Sequence, residues 1–203
     1  MRSIDKKSLI KFENDIANTF NQKKIKAPIH LYSGNESSII KIFDKISKTD
    51  WIFCSWRSHY QCLLKGVSKK VLKNKIIEGR SIALIFKDYN IFSSAIVGGS
   101  LPIALGVAIS LKQKKGNKDT VYCFIGDMTS ETGIAHECIK YAENYCLPIK
   151  FVIEDNNLSV CSDTRKVWNM KKLSYEKSKS KKIIYYKYNS KYPHAGSGIR
   201  IQF

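Results

Sequence analysis

A three-layer α/β domain, with a mostly parallel central sheet flanked by helices and a basic C-terminal tail, is the fold class that this sequence predicts. Three observations carry it. Two compact apolar runs, at 121–125 and 150–153, each end in a polar pair, Gly126-Asp127 and Asp155-Asn156. A helical pattern over 131–145 separates them, and a strand, helix, strand order with a right-handed crossover makes the two strands parallel. At 203 residues and 43% hydrophobic content, the chain suffices for one sizeable core and not for two ordinary domains with linkers.

The remaining elements follow in chain order. Residues 4–22 place Ile4, Leu9, Ile10, Phe12, Ile16 and Phe20 at roughly helical spacing. A second helix is expected over 36–47, and Trp51–Cys54 suits a short buried strand. Residues 60–77 again read as helical. The stretch 89–111 carries no charge and is long enough to span a bilayer. Asn90, Ser93, Ser94, Gly98, Gly99, Ser100 and Pro102 break its first half, so a buried loop leading into a core helix is expected, with Pro102 in the first turn. From Asn169 the sequence turns to the basic stretch KKLSYEKSKSKK, followed by IIYYKYN and a glycine-rich end. One domain over 1–168 and a basic linker with a strand-like tail over 169–203 is the expected division.

Composition excludes several function classes. The formal charge of +18 is spread along the whole chain without a zinc-finger, RNP-type or helix-turn-helix signature. That argues against nucleic acid and for a basic surface that steers phosphorylated, carboxylate or acidic partners. The six cysteines form no CxxC pair, and several lie in apolar runs, which favours a reducing cytoplasm. The first twenty residues mix charges into an amphipathic pattern, so no export signal and no membrane partner are expected.

In a parallel sheet, ligands bind beyond the carboxyl ends of the strands. Asp127 and Asn156 stand at two such ends, 29 residues apart, the length consumed by a crossover helix of about four turns and its connections. A carboxylate and an amide oxygen, completed by a backbone carbonyl and phosphate oxygens, suit magnesium bound to a diphosphate. Taken singly, Gly-Asp and Asn-Asn also read as ordinary turns.

The segment GDMTSETGIAHECIKYAENYCLPIKFVIEDNN resembles the thiamine-diphosphate motif that begins Gly-Asp-Gly and ends Asn-Asn. HLYSGNES at 30–37, WRSH at 56–59 and IVGGSLPIALGVA at 96–108 are similar, in order, to segments of the alpha subunit of thiamine-diphosphate-dependent 2-oxoacid dehydrogenases of the pyruvate and branched-chain type, over roughly 1–168. The resemblance implies a thiamine-diphosphate-binding domain related to that of transketolase. It implies Asp127 and Asn156 as side-chain magnesium ligands and Leu158 as a backbone-carbonyl ligand, with Asn157 as the substitute if the loop is shifted. Arg57 would grip the diphosphate, with Trp56 in place of the usual tyrosine beside it, and Gly126, Met128 and Thr129 would line the same group. Ala95 and Val97 would contact the aminopyrimidine ring, and His30, with His59 as a further candidate, would stand near substrate. Glu137 is expected on the inner face of the crossover helix, Glu131 as a helix-start charge and His136 on the surface.

The sequence departs from the pattern at Met128, where the motif has glycine and closer backbone approach, and in GRSIALIFKDYN, which lacks the usual histidine. The activating glutamate would come from a separate beta subunit, giving a heterotetramer that decarboxylates a 2-oxoacid and transfers the acyl or aldehyde unit. A transketolase-like or acyl-transferring subunit acting on a sugar or metabolite, and a non-catalytic chain that kept the fold, are the alternatives.

Overall fold

The protein is described from a computed structural model over residues 4–201. Residues 1–3 and 202–203, at the outer limits of the expected domain and tail, lie outside the described residues.

Helix α1 (Lys6–Asn21) opens with Asp5, whose carboxylate accepts from the Ser8 amide at 2.8 Å, an N-cap that satisfies one of the free first-turn donors. It buries Leu9, Phe12, Ile16 and Phe20 of the expected stripe, whereas Ile10 is exposed and Ile4 precedes the helix. Helix α2 (Glu36–Phe43) and strand β1 (Trp51–Cys54) follow. The single helix expected over 60–77 is two, α3 (His59–Leu64) and α4 (Lys69–Ile77). Gly66, at φ +105°, turns the chain between them, and the Ser68 hydroxyl caps the second by accepting from the Val71 amide at 3.3 Å. The apolar periodicity continues through this break, which hides it from pattern reading.

The stretch before Pro102 holds more than a loop. Strands β2 (Ile85–Phe86) and β3 (Ile91–Ser93) form an antiparallel pair around a 3-10 turn at Lys87–Tyr89. Helix α5 (Ser100–Gln113) then leads to β4 (Val121–Gly126), α6 (Asp127–Ser130), α7 (Gly133–Asn144) and β5 (Ile149–Asp155). A small hairpin of β6 (Leu158–Ser159) and β7 (Ser162–Asp163), helix α8 (Thr164–Val167) and strand β8 (Ile183–Lys187) complete the fold. No helix among the described residues is long and apolar enough to cross a membrane.

The main sheet runs β2-β3-β1-β4-β5-β8, parallel throughout except for β2. Alternate residues of the strands enter two cores. Ile52, Cys54, Tyr122, Phe124 and Val152 face α1 to α4, whereas Phe53, Val121, Cys123, Ile125, Phe151 and Ile153 face α5 and α7. Both faces of the sheet are thus covered, as a parallel sheet requires. Strand β8 seats the expected tail on this sheet beside β5, and the residues after it return across the domain, where His30 bridges to Gly196. Four cysteines are buried and Cys146 and Cys161 exposed, all of them free thiols. Burial pushes the Cys123 thiol up to about 12.

From β1 the chain goes to β3 on one side and later to β4 on the other. The carboxyl ends of β1 and β4 therefore flank a topological switch point, where a crevice opens between diverging connections.

Candidate functional site

Three loops meet at that crevice. The turn after β1 brings Ser55, Trp56 and Arg57; the end of β4 and α6 bring Gly126, Asp127, Met128 and Thr129; the end of β5 and the β6–β7 hairpin bring Glu154, Asn156 and Leu158. Val97 closes one wall, and Tyr188 and His194 close another. The structure thereby unites nine sequence-predicted residues in one pocket: Trp56, Arg57, Val97, Gly126, Asp127, Met128, Thr129, Asn156 and Leu158.

The pocket's polar atoms are poised rather than satisfied. The Asp127 carboxylate is 1% exposed, yet its Oδ2 has no hydrogen-bond partner. Burial, reinforced by the nearby Asp155 carboxylate and opposed by the Thr164 hydroxyl and backbone amides, pushes its pKa up to about 6. Arg57 donates from Nη2 to the His194 carbonyl at 3.3 Å, while its buried Nε and the buried Trp56 Nε1 find no acceptor. Buried polar groups without partners are rare and cost about 1–3 kcal/mol each. Two donors and one carboxylate oxygen without partners thus lie on residues that line one pocket.

The fit to magnesium and a diphosphate is good in donor chemistry. Asp127 and Asn156 present hard oxygens, which magnesium prefers, and a guanidinium suits phosphate oxygens. The Asn156 Oδ1 accepts only the Leu158 amide, at 3.3 Å. Asn157, by contrast, is committed: Arg165 donates to its Oδ1 at 2.7 Å and its Nδ2 donates to Asp163 at 2.8 Å. Its backbone, at φ +59°, separates its side chain from that of its neighbour. Of the Asn-Asn pair, Asn156 lines the pocket and Asn157 does not.

Other expectations are displaced. His59 is fully buried outside the pocket, with Nδ1 3.1 Å from both Glu13 oxygens and Nε2 2.9 Å from the Ser81 hydroxyl. The backbone turns into α3 right after Arg57, so the ring points into the helical core. Ala95 is exposed and does not line the pocket. His30 stands behind the wall, its ring centroid 5.8 Å from Trp56 and 4.7 Å from His194. Glu137 is exposed, because the inward stripe of α7 is Ala135, Cys138, Ile139 and Ala142. Glu131 closes α6 instead of starting a helix, and its carboxylate accepts from the Ser174 amide and hydroxyl at 3.0 and 2.6 Å. His136 is half-buried against the Tyr175 hydroxyl at 2.6 Å.

Sequence reasoning missed Glu154, Tyr188 and His194. Glu154 is 6% exposed, with the Tyr32 hydroxyl donating to it at 2.8 Å, the Asn35 amide at 3.3 Å and the Tyr186 hydroxyl also in contact. Burial pushes its pKa up to about 7 against those donors and the Arg57 charge. A second acid at the end of an apolar strand was its signal. Tyr188 and His194 lie beyond the low-complexity stretch, where no local pattern connects them to β1 or β4.

Comparisons with known proteins identify the family. The family model described as the dehydrogenase E1 component matches residues 5–195. The chloroplastic pyruvate dehydrogenase E1 component subunit alpha-3 of Arabidopsis thaliana is 30% identical over 160 residues, covering 71% of this chain and 37% of that protein. The alpha subunit of acetoin:2,6-dichlorophenolindophenol oxidoreductase from Bacillus subtilis is 28% identical over 155 residues, 71% of this chain and 46% of its own length. The pyruvate dehydrogenase E1 component subunit alpha of Rickettsia bellii is 26% identical over 182 residues, 85% of this chain and 55% of its own. The chain thus spans 37% to 55% of these relatives. With a match that reaches from α1 to His194 and takes in every loop of the pocket, the chain belongs to the dehydrogenase E1 component family.

Proposed function

We propose that this chain is the cofactor-anchoring, alpha-type part of a thiamine-diphosphate-dependent enzyme that decarboxylates a 2-oxoacid and transfers the acyl or aldehyde unit to an acceptor. The observation that carries the reading is that Asp127 Oδ2, Arg57 Nε and Trp56 Nε1 are all buried and unpartnered on residues that line one pocket. Asp127, Asn156 and the Leu158 carbonyl would hold magnesium. Arg57 and Trp56 would hold the diphosphate, with Gly126, Met128 and Thr129 along it and Val97 toward the aminopyrimidine. His30 would act near substrate together with His194. The bound cofactor supplies the electron sink for decarboxylation, and the protein's residues fix its position and exclude water.

An activating glutamate placed to meet the aminopyrimidine is expected on a separate beta-type chain, in a heterotetramer. Exposed apolar residues on and after the loop that holds Val97 support a partner: Ile96 is 72% exposed, and Val97, Ile103 and Ile134 are exposed as well. The unpaired, mostly buried cysteines support a reducing compartment such as the cytoplasm.

Calorimetry with thiamine diphosphate, on the chain together with a beta-type chain and with and without magnesium, tests the proposal. Magnesium-dependent binding that Asp127→Ala abolishes is expected. Absence of such binding by the wild-type pair overturns the reading.

A further inference from the structure

Resting on that reading, we propose that Arg165 is a positioning residue for the metal loop, and that Glu176, from the basic segment after the hairpin, completes its grip.

The loop leaving β5 must present Asn156 and the Leu158 carbonyl to the pocket while turning sharply. It holds two non-glycine residues in left-handed backbone, Asn157 at φ +59° and Val160 at φ +56°. For the β-branched Val160 this is strained, and such backbone persists only where the surroundings impose it. Arg165 is the principal restraint. Its guanidinium donates to Asp155 Oδ2 at 2.7 Å and Oδ1 at 3.3 Å, to Asn157 Oδ1 at 2.7 Å and to Glu176 Oε2 at 2.9 Å. The fork thus joins the last residue of β5, the turn and a distant segment, which a planar, permanently charged group with several fixed donors can do and an ammonium cannot. Asp155 reinforces it by accepting from the Asn157 amide at 2.9 Å. Glu176 is itself oriented by the Leu173 amide at 3.3 Å and by Lys187 of β8. None of these groups faces the pocket. Arg165 therefore acts on the site through the loop and through the Asp155 carboxylate that it pairs, as outer residues orient metal ligands elsewhere.

The test is divalent-ion affinity, with manganese as the probe. The full chain with its beta-type partner is saturated with thiamine diphosphate and titrated with Mn2+, and free ion is read by electron paramagnetic resonance. Arg165→Met is expected to weaken Mn2+ on the order of tenfold, and to raise the half-saturating concentration in turnover while kcat at saturating metal stays near wild type. Arg165→Lys is expected not to restore affinity, because charge without the fork does not hold the turn. Glu176→Gln is expected to give about threefold, and no further loss when added to Arg165→Met, since the two act as one unit. Wild-type affinity in a folded Arg165→Met, or full rescue by lysine, overturns the proposal. If Arg165→Met does not fold, Glu176→Gln decides: the threefold loss supports the proposal and wild-type affinity overturns it. Unchanged Mn2+ affinity in Asp127→Ala would instead sink the metal site itself.

Discussion

His30 and His194 face each other Nε2 to Nε2 at 3.3 Å, although 164 residues separate them. The first precedes the loop into α2 and the second follows β8, so the contact exists only once the returning segment has docked. Burial first, and then the nearby His194 and Arg57, push the His30 pKa down to about 3 from 6.5. Between those values the unfolded chain binds the proton and the folded chain does not, so stability falls as pH drops through that window. The urea midpoint of the wild type is expected to fall between about pH 7 and pH 4.5, and that of His30→Gln to fall less. An equally steep fall in the variant would assign the acid sensitivity to other groups.

Asp127 sets function against stability. Its buried, unpaired oxygen is a cost to the ligand-free chain that a bound cation would repay. Asp127→Asn is expected to raise the melting temperature of the ligand-free protein, by the equivalent of ~1 kcal/mol, and to abolish magnesium-dependent binding of thiamine diphosphate. Scanning calorimetry with and without cofactor reads both. A variant that melts lower and still binds would mean that the carboxylate is structural.

The legible part of this site was what the sequence carries locally. The β4–α7–β5 unit announces itself through two apolar runs and a helix-length gap, and Gly126-Asp127 and Asn156 mark its functional ends. Arg57 and Trp56 became readable only through resemblance, because a tryptophan and an arginine after a short strand have no chemical signature of their own. What stayed hidden depends on distant contacts. Gly66 divides a helical pattern whose apolar spacing does not change. His59 follows Arg57 by two residues, yet the start of α3 swings it into the core toward Glu13. Glu137 and His136 sit on a helix whose inward stripe small residues fill better. Glu176 lies inside lysine-rich chain and His194 beyond it, and the edge position of β8 brings them back.

Gly34 is where that return is most constrained. A Cβ there would lie 2.1 Å from the Asn189 carbonyl oxygen, and the backbone stands at φ +87°. The neighbouring Ser33 hydroxyl accepts from the Lys191 amide at 2.7 Å, so the two segments are laced together. Gly34→Ala is expected to cost about 2–3 kcal/mol and to loosen the 188–196 segment, weakening cofactor binding through His194 and Tyr188. Urea unfolding and hydrogen exchange of that segment measure the two effects. Unchanged exchange would detach the glycine from the docking of the segment.

Ile96 and Ile103 test the proposed partner surface. Both are exposed, Ile96 next in sequence to Val97 of the pocket wall and Ile103 on α5. Ile103→Asp is expected to leave the melting temperature of the isolated chain within about 1 °C, since Ile103 is 47% exposed and belongs to neither core cluster, and to abolish co-purification with a beta-type chain. Retained assembly in the Ile96→Asp, Ile103→Asp double variant would place the partner on another face.

His59 and Glu13 form the second buried histidine contact, at 3.1 Å, with both side chains essentially unexposed. Its geometry, with Ser81 at 2.9 Å on the far ring nitrogen, resembles a hydrolytic triad in outline, but the Ser81 hydroxyl is fully buried and no substrate reaches it. The cluster instead joins α1 and α3 to the segment before β2. His59→Phe leaves Glu13 buried with only the Tyr32 amide, at 3.3 Å, as a partner, and is expected to cost about 3 kcal/mol. Glu13→Met combined with His59→Phe should recover part of that loss, because two apolar groups replace the pair without leaving a charge. In both variants kcat per folded molecule should match the wild type, with urea unfolding supplying the folded fraction. A large fall in kcat at normal stability would return His59 to the chemistry, and would require a path from the core to the pocket that the packing of Tyr32, Tyr60 and Gln61 closes.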